Sequence, residues 1–382
     1  MSHQRIATPA EPEPVLLPAA VAELFRKSAA RTAGSGQPDA EAIACLRGSG
    51  ILATAVPVEY GGAGGDAEAV NEITEQLATV NPSLAIVAFQ HFAVSTRIAE
   101  WGSTEQRARL LPALAAGELL AASAWSEPGV GAAKKKLNTT AARLSGDRWL
   151  LNGAKSFTTS AGIADIYLVL AQTSAPTDEQ STDDEGSYGS SGQTFFLVRS
   201  GNPGLVPDSP LDLLGMRGSA TGFVSLRDCT TPDQDRLGPE GGAATIIAGV
   251  RETGVTLGAV AVGIARSMLA IGVSYAGRAE GPRRQLSRYR LIELSTQVTA
   301  AHALVCQAGR RTAADPGLTT LHSKLFASAV AERVGAEVGR MLGSAGYLAS
   351  HELNRLVADA RAVALMGPAN DLCRELISAN SD

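Results

Sequence analysis

From Leu17 to about Gly117 apolar residues recur at intervals of three and four, through Val21-Ala22, Leu24-Phe25, Ile43-Ala44, Leu46, Val70, Ile73, Leu77 and Val80. That period predicts amphipathic helices. They are interrupted at Val56-Pro57-Val58-Glu59-Tyr60-Gly61-Gly62-Ala63-Gly64-Gly65-Asp66, where a proline and a glycine cluster require a loop. Pro82 and Pro112 punctuate further helix starts. From about Leu120 the period shortens. Trp149-Leu150-Leu151, Ile166-Tyr167-Leu168-Val169-Leu170, Phe195-Phe196-Leu197-Val198 and Gly222-Phe223-Val224-Ser225-Leu226 read as strands bounded by turn residues. The Ser-, Thr-, Asp- and Glu-rich stretch 173–193 cannot bury a core and reads as a mobile acidic hairpin extension. Helical periodicity returns over 243–277, 283–314, 319–344 and 352–379, with breaks expected near Pro316, Gly346 and Pro368.

The order predicts an α+β chain, mainly α. It divides into a disordered leader (1–16), an N-terminal helical domain (17–119), a middle antiparallel β-barrel or sandwich (120–240) and a C-terminal four-helix bundle (241–382). A length of 382 residues fits several domains packed together. The composition is 45% hydrophobic but only 4% aromatic, with 40 glycines, which suits helices packed through small side chains. A net charge of −5 argues against nucleic acid as a partner. The best membrane-span candidate, around 258–275, is interrupted by Arg266, so no span is expected. Cys45, Cys229, Cys306 and Cys373 form no CxxC pair, and His3, His91, His302, His322 and His351 show no metal-ligand spacing. Reduced thiols, a cytoplasmic location and no metal are the expectation.

Candidate chemistry lies at Trp125-Ser126-Glu127-Pro128-Gly129-Val130-Gly131 and Leu151-Asn152-Gly153-Ala154-Lys155-Ser156-Phe157-Thr158-Thr159. A flavin needs donors for its ring edge and a flat apolar side chain against its face. Ser126, Thr159 and Phe157 supply those types at the ends of two predicted strands. Taken singly, Asn-Gly is an ordinary hairpin turn and a lone aromatic is usually core. The ordered pair of segments resembles the flavin-facing part of the acyl-CoA dehydrogenase family. Other landmarks follow in order: Pro57-Val58-Glu59-Tyr60-Gly61-Gly62, Leu214-Gly215-Met216-Arg217-Gly218-Ser219-Ala220-Thr221, Leu342-Gly343-Ser344-Ala345-Gly346-Tyr347 and Val357-Ala358-Asp359-Ala360-Arg361.

The resemblance implies bound FAD, with Trp125, Ser126, Phe157 and Thr159 around its ring. It also implies diphosphate contacts from Arg278, Arg340 and Gly343 across a homodimer or homotetramer interface. Family members oxidise the Cα–Cβ bond of an acyl thioester, with a glutamate removing the α-proton. The two places that carry that glutamate hold Gly367 and Thr253 here. Glu252, one residue earlier, is the candidate base; its plain alternative is a solvated or ion-paired helix charge. On a continuous helix a one-residue offset turns the side chain by about 100°. Gly131, Thr253 and Gly367 are the expected substrate-facing positions, and Lys134-Lys135-Lys136 either meet CoA phosphates or sit in solvent. The implied partners are an acyl thioester (CoA or carrier protein) or another small molecule, with an electron acceptor or a flavin reductase. Three functions stay open: a dehydrogenase, a flavin monooxygenase that needs no base, and a base-lacking partner subunit.

Overall fold

The computed structural model describes residues 17–130, 134–174, 189–278 and 281–380. The leader, Gly131 and most of the acidic insertion lie outside them. Five helices come first: α1 (Ala19–Ser35), α2 (Ala40–Gly48), α3 (Ala67–Val80), α4 (Pro82–Trp101) and α5 (Thr104–Ala115). The starts of the last four follow from side-chain capping, by Asp39, Asp66, Asn81 and a Ser103/Gln106 capping box. Eight strands follow: β1 (Ala121–Ala124), β2 (Thr140–Leu144), β3 (Arg148–Thr158), β4 (Ile166–Gln172), β5 (Gln193–Arg199), β6 (Leu205–Pro210), β7 (Gly222–Pro232) and β8 (Arg236–Leu237). The chain ends in α6 (Ala243–Glu252), α7 (Gly258–Arg278), α8 (Gly281–Arg310), α9 (Pro316–Leu342), α10 (Glu352–Leu365) and α11 (Asn370–Ser378).

The strands form one sheet, ordered β6-β7-β3-β2-β4-β5-β8, with β1 added beside β4. The expectation of an antiparallel sheet needs correcting: β1 and β4 run parallel, and Thr140 of β2 pairs in parallel with Gln172. The chain between β1 and β4, which carries β2 and β3, is long enough to cross over, which parallel pairing needs. β4 and β5 pair antiparallel out to Gln172 and Gln193. Ile166, Leu168 and Leu170 face a core made with α4, α5 and α6, while Tyr167, Val169 and Ala171 face a second core with Trp149, Phe196 and Val224. Burial on both faces explains why β4 reads as an unbroken apolar run.

A third core joins the terminal helical regions, packing Phe25, Leu77 and Leu84 with Val260, Ile264 and Val334. α7 is apolar and long enough to cross a bilayer by composition alone, but 56% of its most apolar window is buried inside this core. A Cβ at Gly263 would fall inside the carbonyl oxygen of Glu75, so α7 lies against the backbone of α3 only because position 263 has no side chain.

One helix expected to be continuous is broken. The run over 243–277 stops at Glu252 and restarts at Gly258. Gly254 adopts φ +81, and a Cβ there would overlap the carbonyl of Ala308. Buried Asn71 holds the break from both sides, donating to Gly254 O and accepting from Thr256 N–H, each at 2.9 Å. The run over 352–379 breaks between α10 and α11, at 366–369, where Pro368 predicts it.

Gly263→Ala should cost about 1–3 kcal/mol, because the new methyl meets a backbone that cannot rotate away. Chemical denaturation should show the loss as a lower midpoint with an unchanged slope; an unaltered midpoint would mean that α7 slides off α3 freely.

Candidate active site

The two segments singled out from the sequence meet. Ser156 N–H donates to Ser126 O at 2.8 Å, laying the Ser126-Glu127-Pro128 turn along the end of β3. Beneath it Lys155 Nζ lies 2.6 Å from Glu127 Oε1, with both side chains out of solvent. Asn138 and Thr139 donate their N–H groups to the same carboxylate at 2.6 and 3.1 Å. Burial pushes Glu127 upward, but Lys155 and these donors outweigh it and hold the carboxyl below its ordinary value. Burial draws Lys155 down to about 8 against the pull of Glu127.

Just beyond Lys155 the β3–β7 pairing slips, between Lys155 and Thr158. Phe157 takes φ +50 in this bulge and is 66% exposed, between buried Ser156 and Thr158. A bulge re-aims a side chain, and here it turns an aromatic ring outward. Thr159 is buried and accepts from Thr221 Oγ1 at 3.4 Å, while Thr221 and Ser219 share a 2.8 Å bond. Trp125 packs on Phe195, ring centroids 4.9 Å apart. Among the described residues its Nε1 and the hydroxyl of Thr158 are buried without partners. Unspent donors beside an outward ring fit a flat group with polar edges. Trp125, Ser126, Phe157 and Thr159 are thus brought together.

The base region is assembled around the first half of α9. Ser323 Oγ donates to Thr256 Oγ1 at 2.9 Å, just past the break after Glu252. The next residue, buried Lys324, donates to Met366 O at 3.0 Å, to Pro368 O and to Asn370 Oδ1 at 3.2 Å. Segments 253–256 and 366–370 are therefore pinned to adjacent residues of one helix. Thr253 bonds back to Val250 O and Gly367 is exposed. Glu252 is the last residue of α6, so the continuous-helix rotation does not apply to it. Its side chain, 46% exposed, lies against Gly317 and 3.6 Å from Arg251 Nε. Gly317 precedes Lys324 by seven residues, about 10 Å of helix rise. Glu252 is not brought to the Gly367 turn.

Arg278 ends α7, and Arg340 is in the last turn of α9, paired with Glu337. Gly343 follows with φ +62 and open space where a Cβ would be. These three lie at the end of the bundle away from Thr253, about 30 Å along α7. One chain does not unite them with Thr253. Lys134, read as facing CoA or solvent, is instead buried; burial lowers it to about 8, and its carbonyl accepts from Gln193. Sequence reasoning missed Asn71, Lys324 and Asp359. The available signal was a polar residue at a core position of a helical stripe, such as Lys324 between Leu321 and Ala327. Asp359 is fully buried and accepts from Met216 N–H at 2.5 Å, which fastens α10 to the loop leading into Thr221.

Comparison with known proteins agrees along the chain. Residues 17–118, 122–229 and 240–381 match the N-terminal, middle and C-terminal domains of acyl-CoA dehydrogenase. The chain is 30% identical over 347 residues to a probable acyl-CoA dehydrogenase of Mycobacterium tuberculosis, covering 88% of this chain and 86% of the relative. It is 30% identical over 339 residues to an acyl-CoA dehydrogenase of Bacillus subtilis, covering 86% of each. Among solved structures it is similar to butyryl-CoA dehydrogenase from Megasphaera elsdenii, with TM-score 0.80, 26% identity, and coverage of 95% of this chain and 98% of the other. A prolyl acyl carrier protein oxidase matches with TM-score 0.79 and 25% identity, covering 95% and 99%.

Burial raises Asp359 to about 6, against the opposing pull of the Met216 N–H and Arg355, from an ordinary 3.8. A folded-state value above the unfolded one stabilises at low pH, and the contribution is lost as pH rises through about 6. Raising pH from about 5 to 7 should therefore cost wild type about 1 kcal/mol relative to Asp359→Asn. Denaturation of both proteins at several pH values measures it; parallel stability curves would remove Asp359 as the titrating group.

Proposed function

The chain belongs to the acyl-CoA dehydrogenase family, and from that membership we propose that it is a FAD-dependent flavoprotein that oxidises an acyl thioester between Cα and Cβ. The observation that carries this reading is the cradle: Ser126 and Ser156 joined backbone to backbone, with Phe157 turned outward beside them. Bound FAD supplies the hydride acceptor. Ser126 and Thr159 orient the ring edge, Phe157 covers one face, and Trp125 backs the turn. Thr253 and Gly367 border the substrate without a carboxylate. Glu252 adjoins Thr253 alone and is the candidate base, which removes an α-proton only by leaving its place against Gly317.

The thioester is carried on CoA or on a carrier protein, and the electrons leave to a separate acceptor. Arg278, Arg340 and Gly343 hold the diphosphate of a neighbouring subunit's FAD, in a cytoplasmic homodimer or homotetramer. Exposed Leu286, Tyr289 and Ile292 on α8 support that assembly. A second reading has its own observation: Thr253, Gly254 and Gly367 occupy the base positions and Glu252 is turned aside. That favours a monooxygenase fed by a flavin reductase, or a base-lacking partner subunit.

The purified protein should show the visible flavin band, and anaerobic acyl-CoA should bleach it. Glu252→Gln should slow bleaching by about 10²–10⁴-fold, the usual worth of a positioned base. Undiminished bleaching removes Glu252, and a requirement for reductase and oxygen selects the monooxygenase. A colourless protein that takes up no FAD selects the partner subunit. Gly367→Glu should accelerate bleaching on the same scale, since it returns a carboxylate to the turn held by Lys324.

A further inference from the structure

Glu75 of α3 is buried where α3 packs on the bundle, and side chains from α7 and α8 meet its carboxylate. Arg266 Nε of α7 lies 2.7 Å from one oxygen, and His302 Nδ1 of α8 lies 2.9 Å from the other. One turn further along α8, Cys306 Sγ stands 3.5 Å from His302 Nε2. A carboxylate only accepts, so it places the ring proton on Nδ1 and leaves Nε2 of the neutral imidazole as an acceptor facing sulfur. Carboxylate, imidazole and thiol thus stand in the order by which an oriented base activates a nucleophile.

Packing does not ask for these side chains. Leu294, Val298, Ala301 and Val305 already bury α8 against the bundle, and residues 302 and 306 lie at the rim, partly exposed. The relay is dry at Glu75 and meets water at the sulfur. The other cysteines are held differently. Burial pushes Cys229 up to about 11 and raises Cys373. Cys45 is partly exposed like Cys306, but burial and Glu41 raise it. The cluster uses no residue of the cradle. Ten residues of α8, about 15 Å, separate His302 from Ile292, the nearest of the exposed apolar residues offered to the subunit interface.

The setting of Cys306 also selects its chemistry. Its own N–H is bonded within α8, so the nucleophile brings no backbone donor to an acyl oxyanion. Displacement at a disulfide sulfur needs no such donor. We propose that Cys306 is a nucleophilic thiol whose substrate is a low-molecular-weight disulfide, with His302 as its base and Glu75 positioning the ring. Sγ attacks one sulfur of the disulfide while Nε2 takes the thiol proton. The S–S bond breaks, and the departing thiolate recovers that proton from the imidazolium. Cys306 is oxidised to a mixed disulfide, and the other half of the reagent leaves reduced, as a thiol.

The test is incubation of the purified full-length protein with glutathione disulfide at neutral pH, followed by peptide mapping in a mass spectrometer. Cys45 is the internal reference. Wild-type Cys306 should form the mixed disulfide at least about tenfold faster than Cys45. His302→Asn should bring the two rates level, and Glu75→Gln should give an intermediate ratio, each with the Cys45 rate unchanged. Cys45 reacting as fast as Cys306 in wild type overturns the inference. An undiminished ratio in His302→Asn or in Glu75→Gln overturns it too. Should His302→Asn not fold, the wild-type ratio and that of His302→Gln decide on the same terms.

Discussion

The Glu127–Lys155 ion pair is the interaction on which the site depends. Both charges are removed from water, which costs several kcal/mol per ion, and their attraction repays this only when the remaining lone pairs are also satisfied. Asn138 and Thr139 complete that requirement from the crossover between β1 and β2. The pair therefore fixes three pieces of backbone at once: the turn after β1, the end of β3 and the start of β2. Breaking it from one side strands a buried charge, typically a loss of 3–5 kcal/mol. The strand slip that exposes Phe157 begins at Lys155. A strained, outward aromatic persists there because the residues on either side are over-determined.

A different device positions the reacting end. Gly263 lets α7 rest on the backbone of α3, and Gly254 lets the chain break where Ala308 leaves no room for a side chain. Asn71 and Lys324 then hold the segments around 254–256 and 366–368 through backbone oxygens and one N–H. Neither hold uses the side chain at 253 or at 367. The scaffold of the base region is thus independent of whether a base is present.

Periodicity sufficed for the order of helices, strands and helices, because amphipathic stripes and buried runs are local properties. The motifs sufficed to pair Ser126 with Phe157 and Thr159. What escaped was anything set by close approach between distant segments. The break at Gly254 depends on a carbonyl more than 50 residues away, and no local signal in an apolar stretch reports it. Lys324 reads as an interruption of the α9 stripe until Met366, Pro368 and Asn370 arrive around it. Lys134 looks like part of a solvated cationic run because burial of its first member is decided by Gln193 and its neighbours. The direction of the Glu252 side chain is likewise a tertiary fact.

This separation changes what the retained cradle signifies. Glu127 and Lys155 are required by the fold, so the turn and strand they join persist under selection for stability alone. Ser126 and Thr159 are different: Thr159 only receives a 3.4 Å bond from Thr221. The unpartnered Nε1 of Trp125 and hydroxyl of Thr158 are different again, because burying a donor without an acceptor destabilises. A chain that had abandoned its ligand would gain by replacing them with apolar residues. Together with the outward Phe157 ring they mark a cost at the cradle that packing of the described residues does not offset and that a flat group with polar edges bound there would.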